Sequence, residues 1–216
     1  MDDTLKAISV AVRDGDQVRT SDLVTQALRA GTPAAVILSD ALVPGMQALG
    51  ALFHDGHAFL PEILISARAM HAGLGQLRPH LMQAGVKMKG TVVLGTVAGD
   101  LHDIGKTLVG LLLEGNGFTV VDLGVDVAAD AFVEAARRHD AGIVALSALL
   151  TASTPQFHTV VEAVRRAGLA GEVKVMVGGA AVSAALAQEA GADGFAPDCV
   201  AAAEEAARLL GRPGAE

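Results

Sequence analysis

The amino-acid sequence predicts an α/β protein in which a bundle of four helices precedes a five-stranded parallel sheet. Residues 1–88 carry apolar side chains at helical spacing, punctuated by glycine and proline, and show no strand pattern. After them, short β-branched runs alternate with longer segments of helical pattern, which is typical of βα units. The chain has 216 residues and is 51% hydrophobic but only 3% aromatic. Small side chains of this kind can fill the tightly packed layers of bundles and α/β sheets.

Glycine and proline mark the ends of the expected helices, which begin near residues 4, 17, 33 and 61. Gly31 is expected to end the second helix as a C-terminal cap. Pro44 lies inside the third helix and should kink or split it. Pro61 opens the fourth helix, in which apolar residues recur at spacings of 3 and 4, the repeat of a helix packed in a bundle. These apolar residues are Ile63, Ala67, Met70, Leu74, Leu77 and Leu81.

A linker at residues 83–90 is expected to separate the bundle from the sheet. The run 91–97 is apolar and β-branched, which predicts a strand buried on both faces. Five βα units in series predict a parallel sheet with right-handed crossovers and helices on both faces. The expected strands cover 91–97, 118–122, 142–147, 173–177 and 193–196, and the expected helices cover 105–115, 129–139, 155–167, 181–190 and 198–210.

Charge and composition narrow the possible partners and surroundings. The net charge of −8 and the lack of a basic stripe argue against nucleic-acid binding. No apolar run is expected to reach membrane-spanning length, and the acidic start gives no signal-peptide pattern. The single cysteine, Cys199, cannot form an internal disulfide, which suits a reducing compartment. The sequence therefore predicts a cytoplasmic protein that binds neither nucleic acid nor a membrane.

Polar residues and glycines follow three of the expected strands. Asp100 and His102 follow the first strand, the hydroxyl-rich segment 147–153 follows the third, and Gly178-Gly179 follows the fourth. Ligands of open α/β sheets bind at the carboxyl ends of the strands, where such loops meet. Paired glycines after a buried strand would let a ligand approach the backbone, although a glycine pair is also an ordinary tight turn.

His102 is a candidate metal ligand because a carboxylate lies two residues before it. A carboxylate that holds one ring nitrogen of a histidine fixes its tautomer and strengthens the other nitrogen as a donor. One histidine cannot hold a free metal ion, so either further ligands exist or the metal arrives inside a cofactor. His54 and His57 are weak candidates for a zinc site, because no cysteine accompanies them. A phosphate loop at Gly105-Lys106-Thr107 fails on spacing, because that motif needs a glycine at Asp100.

At these residues the chain resembles the cobalamin-binding domains of the methionine synthase type. Their motif is D-x-H-x-x-G, about forty residues, S-x-L, nearly thirty residues and then G-G. In this sequence 41 residues separate the first part from the second, and 28 separate the second from the third. The matching residues are Asp100, His102, Gly105, Ser147, Leu149, Gly178 and Gly179.

The resemblance extends to the helical half of the chain. Residues 1–88 are similar to the helical cap that precedes this domain, and 89–216 would form the cobalamin-binding domain with a flavodoxin-like (Rossmann-like) sheet. Phe53 and Leu60 match the cap residues that cover the upper face of the corrin, and the run 65–70 is also similar. A cap and a binding domain together resemble the free-standing corrinoid proteins of methanol, methylamine and aryl-ether methyltransferase systems.

The family implies a role for each matched residue. His102 would be the lower axial ligand of cobalt, in place of the benzimidazole of the cofactor. Asp100 would hold the other nitrogen of His102, and Ser153 would hold Asp100. The remaining residues implied in cofactor binding are Asp103, Ile104, Gly105 and Leu149, with Ser147, Gly178 and Gly179 along the nucleotide channel and Thr151, Gly194 and Phe195 nearby.

The resemblance implies a methyl carrier without catalytic residues beyond its cofactor, which would be cobalamin in its cob(I)alamin and methylcobalamin states. Its partners would be a substrate-specific methyltransferase, an acceptor-side methyltransferase that uses tetrahydrofolate or a thiol, and a reductive activase. Three alternatives remain open: a cobalamin storage or delivery protein, a regulatory corrinoid protein, and the small subunit of an adenosylcobalamin mutase. The helical half argues against the mutase subunit, which typically lacks a cap. The lack of tryptophan and of a DNA-binding segment argues against the regulator.

Overall fold

The computed structural model describes residues 3–83 and 88–211. Most of the expected linker at 83–90 therefore lies outside the described residues. The chain divides into two compact units, one formed by 1–87 with 114–117 and the other by 88–113 with 118–216. The first is the helical unit and the second is the sheet unit.

The helical unit contains the four helices that the sequence predicts, the third of them in two parts. The apolar side chains of the last helix are buried at spacings of 3 and 4, because that face packs against the other helices. Its proline at position 61 is the second residue of the helix, where a missing N–H costs no hydrogen bond. The helices are α1 (Asp3–Arg13), α2 (Gln17–Arg29), α3 (Ala34–Ile37), α4 (Val43–His54) and α5 (Leu60–Gln83).

The interruption expected at Pro44 takes the form of a π turn at Leu38–Leu42, between α3 and α4. The N–H of Val43 donates to the carbonyl of Leu38, five residues back. Pro44 follows directly, so the widened turn lies where the ring would crowd a preceding α-helical carbonyl.

The segment Ala34–His54 remains helical throughout and is 21 residues long, which is long and apolar enough to cross a membrane. The expectation that no apolar run reaches this length is therefore wrong. Half of the most apolar 18-residue stretch of this segment is buried inside the protein, and burial in the bundle accounts for its apolar composition.

The sheet unit is a five-stranded, fully parallel sheet with the strand order β2-β1-β3-β4-β5. This confirms the predicted α/β class and the flavodoxin-like order. The strands are β1 (Thr91–Thr96), β2 (Thr119–Asp122), β3 (Ile143–Ser147), β4 (Lys174–Gly178) and β5 (Gly194–Ala196), and the helices are α6 (Ile104–Gly115), α7 (Ala129–Arg138), α8 (Pro155–Arg166), α9 (Ala184–Ala190) and α10 (Cys199–Leu209).

The central strands β1, β3 and β4 are buried on both faces of the sheet, which explains their continuous apolar sequences. Val92 and Val93 of β1 are both fully buried, and they belong to separate apolar clusters. Successive side chains of a strand point to opposite faces, so each cluster lies under a different layer of helices. Phe132 and Phe157 fill one cluster, and Phe118 fills the other.

Cys199 begins α10 and is buried. Burial, followed by the negative charge of the neighbouring Asp198, raises the pKa of the Cys199 thiol to about 11. The thiol is therefore protonated at neutral pH.

Candidate cofactor site

The three loops singled out in the sequence leave the sheet side by side. Thr96 at the end of β1 is in register with Ser147 of β3, and Ser147 is in register with Gly178 of β4. Beyond these pairs, the N–H of Val97 donates to the carbonyl of Ser147 at 3.1 Å, and the N–H of Ala148 donates to that of Gly178 at 3.2 Å. The strand order reverses between β1 and β3, and open α/β sheets form their ligand crevice at such a reversal.

Asp100 is fully buried at this edge and accepts hydrogen bonds from both loops. Its Oδ1 accepts from the backbone N–H of His102 at 3.1 Å and contacts His102 Nδ1 at 2.7 Å. Its Oδ2 accepts from the N–H groups of Leu149 and Leu150, at 2.8 and 3.1 Å, and from the hydroxyl of Ser153 at 2.9 Å. A buried carboxylate is stable only when its oxygens are paired in this way.

These hydrogen bonds decide the charge of Asp100. Burial by itself would raise the pKa of Asp100, but the bonds from His102, Leu150 and Leu149 outweigh it and hold that pKa well below its ordinary value of 3.8. Asp100 is therefore an ionised acceptor, and His102 Nδ1 must be the donor in their contact. In the neutral imidazole the lone pair then lies on Nε2. The His102 side chain is 51% exposed, so Nε2 is accessible to a ligand.

The backbone around His102 is held as well. The hydroxyl of Thr96, which is fully buried, donates to the carbonyl of His102 at 2.8 Å. Since Thr96 is the last residue of β1, this bond joins the loop to the rigid sheet.

The glycine pair after β4 is required by the chain itself. A Cβ on Gly179 would lie 2.0 Å from the carbonyl oxygen of Ala148, and the φ of Gly179 is +130°. A Cβ on Gly178 would lie 2.9 Å from the carbonyl oxygen of Ala196. The close approach that these glycines permit is therefore to neighbouring backbone, and not only to a ligand as the sequence suggested.

Gly105 differs from Gly178 and Gly179, because no neighbouring atom of the protein excludes a side chain at this position. It lies in the first turn of α6, its φ is not positive, and a Cβ there would have no atom within 4 Å. Glycine is unfavourable inside a helix, so its presence here fits a group that approaches the helix from outside. Large apolar side chains are exposed in the two loops and at the start of α6: Leu101 at 72%, Ile104 at 75%, Leu149 at 41% and Leu150 at 43%.

An accessible imidazole nitrogen among exposed apolar side chains fits a planar macrocycle that brings its own metal. Within residues 3–83 and 88–211, no group of three or more histidine, cysteine, aspartate or glutamate side chains could hold a bare metal ion. His54 and His57, weighed above for zinc, form no such group.

For the other expected site residues, the structure gives a location and a degree of exposure. Asp103 and Thr151 are exposed in the two loops, and Ser147 is half-buried. Gly194 and Phe195 lie in β5, where Phe195 packs against an apolar cluster. Phe53 is half-buried at the end of α4, and Leu60 is 50% exposed at the start of α5. The roles of all these residues toward a corrin stay predictions.

Sequence reasoning did not identify Thr96, Leu150 or Asp126 as part of this arrangement. The bond from Leu150 comes from its backbone, which leaves no signal in the residue type. Asp126 accepts from the N–H of Gly99 at 2.7 Å, and its φ is +54°. Aspartate is one of the few residues that tolerate such a φ, so Asp126 in an expected loop was the one available signal.

Comparison with known proteins agrees with this geometry. A B12 binding domain family matches residues 90–210, and a second B12 binding domain profile matches residues 4–78. A corrinoid protein of Desulfitobacterium hafniense is 36% identical, over 96% of this chain and 98% of the relative. Trimethylamine corrinoid protein 1 of Methanosarcina mazei is 39% identical, over 85% of this chain and 86% of the relative.

Solved structures give the same result. A cobalamin-binding protein from Desulfitobacterium hafniense superposes with a TM-score of 0.81 at 28% identity, covering 95% of this chain and 98% of the other. The methanol:cobalamin methyltransferase complex of Methanosarcina barkeri contains a chain that superposes with a TM-score of 0.84 at 30% identity, covering 97% of this chain and 80% of the other. The chain therefore belongs to the B12 binding domain family, and its cofactor is cobalamin.

Proposed function

We propose that this protein is a methyl-carrying corrinoid protein in which His102 Nε2 is the lower axial ligand of cobalt. The observation that carries the proposal is the Asp100–His102 pair, with 2.7 Å between Oδ1 and Nδ1. The carboxylate fixes the ring with Nδ1 protonated and leaves Nε2 as a donor, the arrangement in which metal-binding histidines are held. The bound corrinoid supplies a cobalt centre that accepts a methyl group and releases it again.

The residues of the chain bind and tune this centre. Asp100 remains ionised and accepts from His102 Nδ1, so the lone pair of His102 Nε2 would be available to hold the cobalt. Ser153 and the N–H groups of Leu149 and Leu150 hold Asp100 Oδ2. Through Asp100, the loop after β3 therefore fixes the position of the His102 ring.

The proposed partners are two methyltransferases. Several relatives are corrinoid proteins of trimethylamine or dimethylamine systems, and one structural neighbour is part of a methanol:cobalamin methyltransferase complex. By analogy, a substrate-specific enzyme would deliver the methyl group to this chain, and an acceptor-side enzyme would pass it to tetrahydrofolate or a thiol. A reductive activase would restore cofactor that has been oxidised, and the proposed location is the cytoplasm.

Binding and methyl transfer are tested separately. The protein is reconstituted with hydroxocobalamin, and retention of coloured cofactor after desalting is measured. It is then loaded with cob(I)alamin and mixed with a substrate-specific methyltransferase of the methanol, methylamine or aryl-ether type and its methyl donor. Visible spectra report whether the cofactor becomes methylated. Protein that stays colourless would contradict cobalamin binding. Bound cofactor that no enzyme of these types methylates would identify a storage or delivery protein.

A further inference from the structure

We propose that Asp126, on the loop after β2, is a positioning residue that holds the His102 loop in the shape needed for axial coordination. The inference rests on the proposed role of His102. Asp126 is outside the motif matched above, and it acts through two backbone groups of the loop.

Asp126 makes two hydrogen bonds to the segment that carries Asp100 and His102. Its Oδ1 accepts from the N–H of Gly99 at 2.7 Å, and its N–H donates to the carbonyl of Asp100 at 3.0 Å. The two bonds hold the consecutive residues Gly99 and Asp100, which lie three and two positions before His102. Gly99 has a φ of +81°, so the chain turns sharply at the residue that Asp126 holds.

The backbone of Asp126 is itself in an unusual conformation. Asp126, with a φ of +54°, and Asp140, with a φ of +49°, are the two residues other than glycine with positive φ in the part of the chain that the structure describes. Such a φ is unfavourable for most side chains and persists where the surroundings impose it. Here the N–H of Val127 donates to the carbonyl of Thr96 at 3.0 Å, and the N–H of Thr96 donates to the carbonyl of Gly124 at 3.0 Å.

The other end of the β2 loop is fixed to α6. Asp122 Oδ1 accepts from the N–H of Gly124 at 2.9 Å, and Asp122 Oδ2 pairs with Nζ of Lys106. The side chain of Lys106 is only 3% exposed, and Lys106 lies four residues after His102. Asp126 thus holds the loop after β1 at Gly99 and Asp100. Lys106, which follows that loop, pairs with Asp122 at the start of the loop that carries Asp126.

The test compares two substitutions at this position with a matched control. Asp126→Gly keeps the positive φ at no steric cost but removes the acceptor for Gly99. Asp126→Asn tolerates the same φ and keeps an oxygen in the place of Oδ1. Asp140→Gly makes the same backbone change at the other positive-φ aspartate. Each protein is labelled with ¹⁵N-histidine, reconstituted with cob(II)alamin and studied by EPR, and the Kd for hydroxocobalamin is measured.

We expect Asp126→Gly to reduce the fraction of protein with histidine nitrogen hyperfine coupling and to raise the Kd about tenfold, the lower end of the effect of removing an outer partner of a metal ligand. Asp126→Asn and Asp140→Gly should match the wild type in both. If the wild type shows histidine nitrogen coupling and the Asp126→Gly spectrum is the same, the role of Asp126 is overturned while the axial role of His102 stands. Absence of histidine coupling in the wild type would overturn the axial role of His102, and this inference with it.

A second measurement does not depend on a variant that folds. In the cofactor-free wild type, the Gly99 amide should exchange with solvent at least tenfold more slowly than an unbonded loop amide, because its hydrogen bond must open first. Exchange at the unbonded rate would overturn the inference, since Asp126 would then not hold the loop.

Discussion

The backbone N–H of Leu149 donates to Oδ2 of Asp100 across 2.8 Å, and this bond ties the loop after β3 to the loop after β1. The two residues are 49 positions apart in the chain. They meet because β1 and β3 are neighbours in register, which brings both loops to one edge of the sheet. The crevice is therefore assembled by the fold itself, and the imidazole of His102 is oriented without a cofactor.

Asp100→Asn should destabilise the cofactor-free protein by about 2–4 kcal/mol in free energy of unfolding. The amide nitrogen cannot accept, so at least one buried donor among Leu149, Leu150 and Ser153, or His102, loses its partner. Denaturant titration followed by circular dichroism measures the change. Asp22→Asn, at an exposed position of α2, is the control and should stay within about 0.5 kcal/mol of the wild type. Equal stability of the two variants would mean that the hydrogen bonds to Asp100 add no stability.

The stabilisation by Asp100 should depend on pH in a defined direction. The pKa of Asp100 is lowered on folding, so its contribution is fully present above the unfolded value of 3.8 and is lost as pH falls below that value toward the folded pKa. We expect the difference in unfolding free energy between the wild type and Asp100→Asn to be constant above about pH 5 and to shrink below pH 4. A difference that instead grew with acidification would contradict the assignment of an ionised carboxylate.

His102→Ala should retain cobalamin but lose the histidine nitrogen coupling in the EPR spectrum of the cob(II)alamin form. Affinity should fall by about tenfold to a hundredfold, because a metal bond is lost while the other contacts remain. His158→Ala, at an exposed position of α8, is the control and should leave coupling and affinity unchanged. Coupling that persists in His102→Ala would assign the axial ligand to another histidine.

Gly105→Ala separates cofactor binding from folding. Alanine is favoured over glycine in a helix, and its Cβ would meet no other atom, so the cofactor-free protein should gain up to about 1 kcal/mol of unfolding free energy. The Kd for hydroxocobalamin should rise, because the added methyl group faces the side from which the cofactor approaches. An unchanged Kd would show that Gly105 does not border the bound corrin.

Gly179→Ala should act in the opposite sense and destabilise the cofactor-free protein by at least about 3 kcal/mol. Its Cβ would lie 2.0 Å from backbone oxygen, at a φ of +130°. Thermal unfolding of the two alanine variants side by side measures the contrast. Equal melting temperatures for Gly105→Ala and Gly179→Ala would contradict the different reasons given for these glycines.

The positions and bounds of the strands along the chain were predictable because their signals are local. Each strand is a short apolar run ended by glycine or polar residues, and every observed strand begins and ends within one residue of its predicted position. The bundle was predictable for a similar reason, because the apolar residues that recur along α5 in the sequence are the ones that it buries.

The hydrogen bonds of the site were not predictable from residue types. Asp100 is held mainly by backbone N–H groups, which every residue but proline carries, so Leu149 and Leu150 gave no sign of that role. The resemblance to a known family selected Asp100, His102 and Ser153. For Asp126 the sequence offered only an aspartate in an expected loop, and its hydrogen bonds to the β1 loop come from the fold. The π turn before Pro44 was foreseen as an interruption but not in its form, because a proline can be accommodated by a kink, a break or a wide turn.

Burial shields the Cys199 thiol from a methyl group carried on the proposed cofactor. A methyl group bound to cobalt is transferred to strong nucleophiles, and a thiolate is the strongest that a protein side chain offers. The chain has a single cysteine, and its thiol is buried at the start of α10 with its pKa raised to about 11. A buried and protonated thiol is a poor methyl acceptor, so the proposed methyl carrier would not alkylate its own sulfur.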